Sequence, residues 1–177
     1  MRLAFPRLSA DERGAAIVEL ALVAPVLALM AIGIVDMSNA FSRKLALEQG
    51  AQRAIEKIMQ TTEGDTVEGT LTTEAVCQVN GTNADGTCKS SPITASNVTV
   101  TYRLECMDST GAVAAQTSTD ATTFDAFTCG SGTVKEARYI EVAVTDRYTP
   151  MFPIHFFSYN GGDGTYHLSA KAGMRTE

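Results

Sequence analysis

An unbroken apolar run near the N-terminus constrains this chain more than any other feature. Residues 15–35 contain a single ionisable side chain, that of Glu19. A helix needs about 20 apolar residues to cross a bilayer, so the run has the length of one membrane span. A carboxylate near the bilayer centre costs roughly 2.5–3.5 kcal/mol, and Glu19 is therefore a candidate functional residue.

The spacing between Gly14 and Glu19 narrows the interpretation. Gly14 stands five residues before the acid and directly after the charged residues 11–13. This arrangement suggests a precursor that is cut after Gly14 and assembles through its own membrane helix. Two plainer explanations stay open. A secretory signal peptide would have a shorter apolar region of about 7–15 residues, without a carboxylate. In a simple membrane anchor, Glu19 could reach the headgroups because it lies only about 6 Å beyond Ala15.

Net charge argues against one class of partner. The chain has a formal net charge of −6 and shows no cluster of lysines and arginines. Nucleic-acid binding needs such a cluster to neutralise phosphates, so no nucleic-acid partner is expected. Three arginines precede the apolar run, and Arg43 and Lys44 follow it closely. The positive-inside rule therefore favours a cytoplasmic N-terminus by a small margin only.

The cysteines give a clearer indication of compartment. Cys77, Cys88, Cys106 and Cys129 all follow the apolar run, and none precedes it. An even number of cysteines in a small exported domain predicts two disulfides. Four cysteines allow three pairings. We favour Cys77–Cys88 with Cys106–Cys129, because the first pair brackets a turn-rich loop; four free buried thiols are the alternative.

The helix is expected to continue beyond the apolar run. At 100° per residue, nine apolar side chains of residues 37–59 fall on one arc of about 140°. A helix over residues 15–60 would be roughly 69 Å long and amphipathic in its second half. The predicted inward-facing set is Met37, Ala40, Phe41, Leu47, Ala51, Ala54, Ile55, Ile58 and Met59.

The remaining residues are patterned as strands. Residues 97–106, 139–146 and 166–172 alternate with period two, and a fourth strand is expected between 111 and 127. Residues 150–157 form an apolar, proline-broken segment that either covers the sheet edge or lies exposed. Strands in series after one helix predict an α+β fold in which the long helix packs on a small antiparallel sheet with disulfides. The predicted division is a leader (1–14), a helix (15–60, membrane-spanning over 15–35) and an extracytoplasmic β-rich domain (61–177).

No catalytic, metal or cofactor site is expected from the sequence. The two histidines, His155 and His167, each lack a second ligand at metal spacing. A faint calcium-loop pattern over residues 80–86 fails because its first and twelfth positions would be Gly81 and Pro92. The chain is accordingly predicted not to be an enzyme.

The N-terminal segment resembles the type IV pilin-like proteins, and more narrowly the TadE-like family of the tight-adherence (Tad/Flp) pilus. Residues 13–25 read RGAAIVELALVAP. Precursors of this class carry a short leader ending in glycine, followed by an apolar helix with glutamate at the fifth mature position. Gly14, Ala15 and Glu19 match these three positions. The likeness is good over residues 13–41 and looser over about the last forty.

This resemblance implies a function, a location and partners. A prepilin peptidase would cut between Gly14 and Ala15, and Glu19 would set the register of assembly. The product would be a minor pilin or pseudopilin needed to assemble a Tad pilus in surface adhesion. It would cross the inner membrane once, with the N-terminus cytoplasmic and the domain periplasmic, and could enter the extracellular pilus. Its partners would be the peptidase, other pilin-like subunits, the inner-membrane assembly machinery and membrane lipid. A type II secretion-like pseudopilin and an unprocessed membrane-anchored binding or adhesion protein are the alternatives.

Overall fold

The computed structural model describes residues 12–60, 70–152 and 159–176. A single helix, α1 (Glu12–Gln60), occupies the first 49 of these residues and continues through Pro25. It is followed by two short helices and five strands. In chain order they are α2 (Leu71–Asn80), β1 (Val98–Asp108), β2 (Val113–Ser118), α3 (Ala121–Asp125), β3 (Thr133–Tyr148), β4 (Tyr159–Asn160) and β5 (Thr165–Arg175).

The five strands form one antiparallel sheet with the order β2-β1-β3-β5-β4. The long strand β3 lies at its centre, between β1 and β5. Val100 on β1 pairs with Val142, which in turn pairs with Ala172 on β5. Because side chains alternate along a strand, the even-numbered residues of β1, β3 and β5 share one face of the sheet.

The second half of α1 covers that face. Its inward side chains follow the helical spacing of three and four residues and become fully buried at Leu47, Ala51 and Ala54. Burying one leucine side chain contributes about 2 kcal/mol, so this seam fixes the helix on the sheet. The buried core comprises Leu47, Ala51, Ala54, Ile55, Leu71, Ala75, Ile93, Val98, Tyr102, Leu104, Cys106, Phe124, Ile140, Val142, Val144 and Ala170.

The opposite face of the sheet is polar. Lys171 Nζ lies 2.9 Å from Glu141 Oε1 across neighbouring strands, and both side chains are about half exposed. The guanidinium of Arg103 pairs with Glu105 and also lies over the ring of Tyr139, 5.3 Å from its centroid. Such pairs stabilise a solvated surface by small amounts only, and this face therefore needs no covering layer.

A glycine in α1 lets α2 approach closely. A Cβ at Gly50 would lie 2.5 Å from Val79 Cγ2 and 3.0 Å from the carbonyl oxygen of Ala75. Both partners belong to α2. Glycine costs about 1 kcal/mol in a helix relative to alanine, and here that cost permits backbone contact between two helices.

Two disulfides join the loops to this framework. Cys77 on α2 pairs with Cys88, and their Cα atoms are 4.7 Å apart. Cys106 on β1 pairs with Cys129 after α3, with Cα atoms 5.6 Å apart. The favoured pairing is therefore the one observed.

A buried amide holds the loop after α2. Asn80 donates hydrogen bonds of 2.7 Å to the carbonyl oxygens of Lys89 and Ile93, and its own oxygen accepts from the N–H of Ile93 at 3.0 Å. Gly81 follows at a φ of 76°, where its N–H bonds the carbonyl of Cys77. Residues 80–86, considered above as a calcium loop, thus comprise the last residue of α2 and the turn that follows it.

The predicted α+β class is confirmed, and the differences lie in detail. Of the predicted inward-facing set on α1, Met37, Phe41 and Met59 are exposed, because the sheet covers a narrower arc than the apolar residues occupy. Neither helix α2 nor helix α3 was predicted. The four expected strands are present, and the short β4 was missed. Residues 153–158 of the proline-broken segment lie outside the described residues, as do 1–11 and 61–69, while Met151 is exposed.

Candidate functional site

The apolar half of α1 is exposed along nearly its whole length, and Gly33 is its one buried residue among those whose burial is described. Only 6% of its most apolar 18-residue window is buried against the rest of the chain. In the described part of the chain, this is the one helix long and apolar enough to cross a membrane. The exposed large side chains are Ile17, Val18, Leu20, Leu22, Val23, Val26, Leu27, Leu29, Met30, Ile34 and Val35. So large an apolar surface requires lipid or protein cover.

The residues predicted for processing and register lie at the start of this surface. Gly14 is exposed in the first turns of α1, and no atom lies within 4 Å of the position its Cβ would take. The backbone of Ala15 belongs to the same helix. Glu19 is exposed four residues later, which places it one turn above Ala15 on the same side of the helix. The structure therefore places Gly14 and the side chain of Glu19 on the exposed surface of the helix.

At the other end of the apolar run, Asp36 ties the helix to the sheet. Its side chain is 4% exposed. Oδ1 accepts hydrogen bonds from the Tyr148 hydroxyl at 3.1 Å and from the Met151 N–H at 2.9 Å. Oδ2 accepts one from the Phe152 N–H at 3.1 Å. A carboxylate with three donors can be buried at little cost, and Asp36 thus fixes the end of β3 beside the helix.

Two further groups belong to this junction. Arg43 Nε lies 3.0 Å from Oδ2 of Asp146, whose side chain is largely buried, although the pair lacks the alignment of a hydrogen bond. The other oxygen of Asp146 accepts from the Arg147 N–H at 2.8 Å. Burial, followed by the hydrogen bond to Asp36, raises the pKa of Tyr148 above 10.0. Helix and strand are therefore joined by polar contacts two turns apart on α1.

The sequence analysis did not identify this junction, but the signals were present. Asp36 shares the inward face with Ala40, Arg43 and Leu47, at the helical spacing of three and four residues. Asp146 occupies an even-numbered position of β3, on the same face as the buried Val144. An acid at a core-facing position needs a buried partner, and either residue could have been recognised on that ground.

The described residues show little that resembles a metal or catalytic centre. No group of three histidine, cysteine or acidic side chains among them could hold a metal ion. His167 Nε2 lies 2.5 Å from Asp163 Oδ2, and this hydrogen bond is the main cause that lowers the pKa of the Asp163 carboxyl. Arg147 Nη1 lies 3.7 Å from the same oxygen, so the cluster is an exposed ion-pair network. His155 falls outside the described residues.

A long helix with one exposed apolar half, fixed to a small disulfide-bonded sheet, is the arrangement of a protein with a single membrane-spanning anchor, and the helix has the length and composition for that role. Residues 14–55 match the model of the TadE-like protein family. The match covers about a quarter of the chain. It confirms the resemblance inferred above and indicates a Tad pilus-associated protein, of a family that is generally structural. No curated protein and no solved structure matches the chain.

Proposed function

We propose that this chain is the precursor of a minor pilin or pseudopilin required for assembly of a Tad/Flp pilus in surface adhesion. A prepilin peptidase cuts it between Gly14 and Ala15. The mature protein crosses the inner membrane once, with the sheet on the periplasmic side. The observation that carries this proposal is the exposed apolar helix, with Glu19 one turn beyond Ala15, inside the segment that matches the TadE-like family.

Cleavage at this bond changes the electrostatics of the helix end. It removes the arginine-containing leader and creates a positive amine on Ala15, one turn from Glu19. An acid that is costly alone in the bilayer gains a partner, either in its own chain or in a neighbouring subunit. Because an unpaired buried charge is so unfavourable, the pair selects one axial register between adjacent helices.

The apolar surface provides the lateral contacts. Ala16, Ala21, Ala24 and Ala28 are exposed small residues on the helix. Small side chains let helices approach closely in a membrane, where packing rather than water exclusion drives association. The predicted partners are other pilin-like subunits, the inner-membrane assembly machinery and lipid.

The first test of the proposal is the N-terminus of the mature protein. The chain recovered from native membranes should begin at Ala15, and the chain from a strain with an inactive prepilin peptidase should retain its leader. Gly14→Phe should block cleavage in the normal strain. A chain that begins at Met1 in both strains would refute processing and indicate an unprocessed membrane-anchored binding protein.

A second test separates assembly from processing. Glu19→Ala should leave the chain cleaved and inserted in the membrane but reduce piliation, because the amine loses its partner. Glu56→Ala is the matched control, since Glu56 is an exposed acid on the same helix that pairs with Arg53 at 3.7 Å. Normal piliation with Glu19→Ala would contradict a role in register. Loss of protein secretion instead of pili would identify a type II secretion-like pseudopilin.

A further inference from the structure

Three of the five tyrosines of the chain lie in one row across the sheet. Tyr148 on β3 pairs in register with Tyr166 on β5, and Tyr166 pairs with Tyr159 on β4. Their side chains share the face that carries α1. The rings of Tyr159 and Tyr166 meet edge to face with centroids 5.6 Å apart. We call Tyr148, Tyr159 and Tyr166 the tyrosine row.

The hydrogen bonds of Asp36 fix the position of the tyrosine row along the axis of α1, relative to the end of the apolar run. Residues 16–35 would extend about 30 Å as a helix, which is the thickness of the bilayer's hydrocarbon core. Asp36 is the next residue, and it binds the Tyr148 hydroxyl and the backbone N–H groups of Met151 and Phe152 directly. The end of the sheet that carries the tyrosine row therefore lies at the level where the apolar run ends.

The chemistry at this level suits a lipid headgroup layer. Tyrosine has an apolar ring and a polar hydroxyl, and it is enriched where membrane meets water. All three side chains of the row are half-buried in the protein. Met151, whose N–H binds Asp36, is 67% exposed. The Arg147 side chain lies on the other face of the sheet at the same level, where it is 71% exposed and 3.7 Å from Asp163. An apolar side chain and a guanidinium at one level can contact acyl chains and phosphates respectively.

Residues 108–132, at the far end of the sheet, form an acidic segment. The turn after β1 and helix α3 carry three acids, Asp108, Asp120 and Asp125, and no lysine or arginine lies in residues 108–132. Hydrogen bonds from neighbouring threonines lower the pKa of Asp108 and Asp120, which keeps both charged. This acidic segment offers no cation to anionic headgroups, although Lys135 and Arg175 lie on the strands beside it.

We propose that the tyrosine row is an interfacial anchor, which seats one end of the sheet in the headgroup layer of the phospholipid membrane that α1 crosses. The tyrosine row and the Asp36 junction together hold the end of the sheet at a fixed distance from the bilayer centre. The proposal rests on the membrane span in the proposed function. It requires neither cleavage after Gly14 nor incorporation into a pilus.

The absence of tryptophan from the sequence allows a direct test. Three single-tryptophan variants of the full chain are placed in phosphatidylcholine vesicles that contain lipids brominated at shallow or deep acyl positions. Tyr159→Trp reports on the row, Val113→Trp on the far end of the sheet, and Leu27→Trp on the apolar run. Val113 and Leu27 are both exposed, so neither control disturbs the core.

The emission maximum of Tyr159→Trp should lie at a shorter wavelength than that of Val113→Trp. Its fluorescence should be quenched more strongly by the shallow bromines than by the deep ones. Val113→Trp should be insensitive to both lipids, and Leu27→Trp should be quenched most by the deep bromines. If Tyr159→Trp is as insensitive as Val113→Trp while Leu27→Trp is quenched, the interfacial anchor is refuted and the span stands. If Leu27→Trp is also insensitive, the span fails, and the proposed function fails with it.

A second measurement avoids substitution of the row. The unsubstituted chain, labelled with fluorotyrosine, should give five fluorine resonances. Spin-labelled headgroups in the vesicle should broaden those of Tyr148, Tyr159 and Tyr166, and should leave those of Tyr102 and Tyr139 sharp. Uniformly sharp resonances from all five tyrosines would overturn the proposal even if the tryptophan variant misfolded.

Discussion

The carboxylate of Asp36 accepts a hydrogen bond from the Tyr148 hydroxyl at 3.1 Å, across 112 residues of sequence. One residue ends the apolar run of the helix, and the other ends the central strand of the sheet. Their contact fixes the sheet at the point where the exposed apolar surface stops.

Loss of the Asp36 carboxylate should loosen this junction. Asp36→Ala removes the acceptor of three hydrogen bonds and leaves two backbone N–H groups without it, and we expect a loss of about 3 kcal/mol in the free energy of unfolding. Tyr148→Phe removes one of the three bonds and should cost about 1 kcal/mol. Urea unfolding of the detergent-solubilised chain, followed by the near-ultraviolet circular dichroism of its tyrosines, measures both. Glu48→Ala, which removes a partly exposed acid on the same helix that lies 3.9 Å from Lys44, should have little effect. Equal stability of Asp36→Ala and Glu48→Ala would show that the junction is dispensable.

The raised pKa of Tyr148 predicts a pH dependence in the alkaline range. Burial and the hydrogen bond to Asp36 favour the neutral phenol, so the folded-state pKa exceeds the ordinary value of 10.0. The contribution of the neutral Tyr148 phenol to the free energy of unfolding is therefore complete below pH 10. It is lost as the pH rises through the folded-state pKa of this phenol. In an ultraviolet titration the Tyr148 phenol should ionise above pH 10.0, and Tyr148→Phe should remove that step. A titration unchanged by Tyr148→Phe would contradict the assignment.

Gly50→Ala distinguishes helix propensity from tertiary packing. Propensity alone predicts a gain of about 1 kcal/mol from alanine in a helix interior. The structure predicts the opposite sign, because the new Cβ would lie 2.5 Å from Val79 Cγ2 and 3.0 Å from the Ala75 carbonyl. We expect a loss of about 1–3 kcal/mol from overpacking, measured by thermal unfolding. The double variant Gly50→Ala/Val79→Ala should recover part of that loss. A more stable Gly50→Ala chain would mean that α2 can shift freely.

Two asparagines in one segment offer a matched pair. Asn80→Ala leaves the buried N–H of Ile93 and the carbonyls of Ile93 and Lys89 without the amide that binds them. We expect a loss of about 3 kcal/mol in stability. Asn83 is exposed and donates only to Thr87 in the described structure, so Asn83→Ala should change stability by less than about 0.5 kcal/mol. Chemical denaturation of both variants, with the disulfides intact, makes the comparison. Equal losses of stability in Asn80→Ala and Asn83→Ala would show that the buried hydrogen bonds of Asn80 contribute nothing to the stability of the fold.

The sequence predicted the parts of the fold that depend on local pattern. Period-two alternation identified β1, β3 and β5, and helical spacing predicted that α1 continues beyond the apolar run. Cysteine spacing led to the observed pairing. Helix α2 was not predicted because it has only 10 residues, too few for a clear periodic pattern. It is stabilised by tertiary packing on Gly50 and by the disulfide at Cys77. The inward set of α1 was too broad because a sequence pattern cannot show how wide a surface the sheet will cover.

By itself, the sequence determined the length of the apolar run, the positions of Gly14 and Glu19, and the α+β class. These properties reside in adjacent residues and follow from hydrophobicity and periodicity. Only the tertiary structure decided that Asp36 is buried against Tyr148, that Arg43 meets Asp146, and that three tyrosines share one row. Those contacts join residues about 100 positions apart or depend on strand register. Both are set by packing of the whole core, which no local pattern encodes.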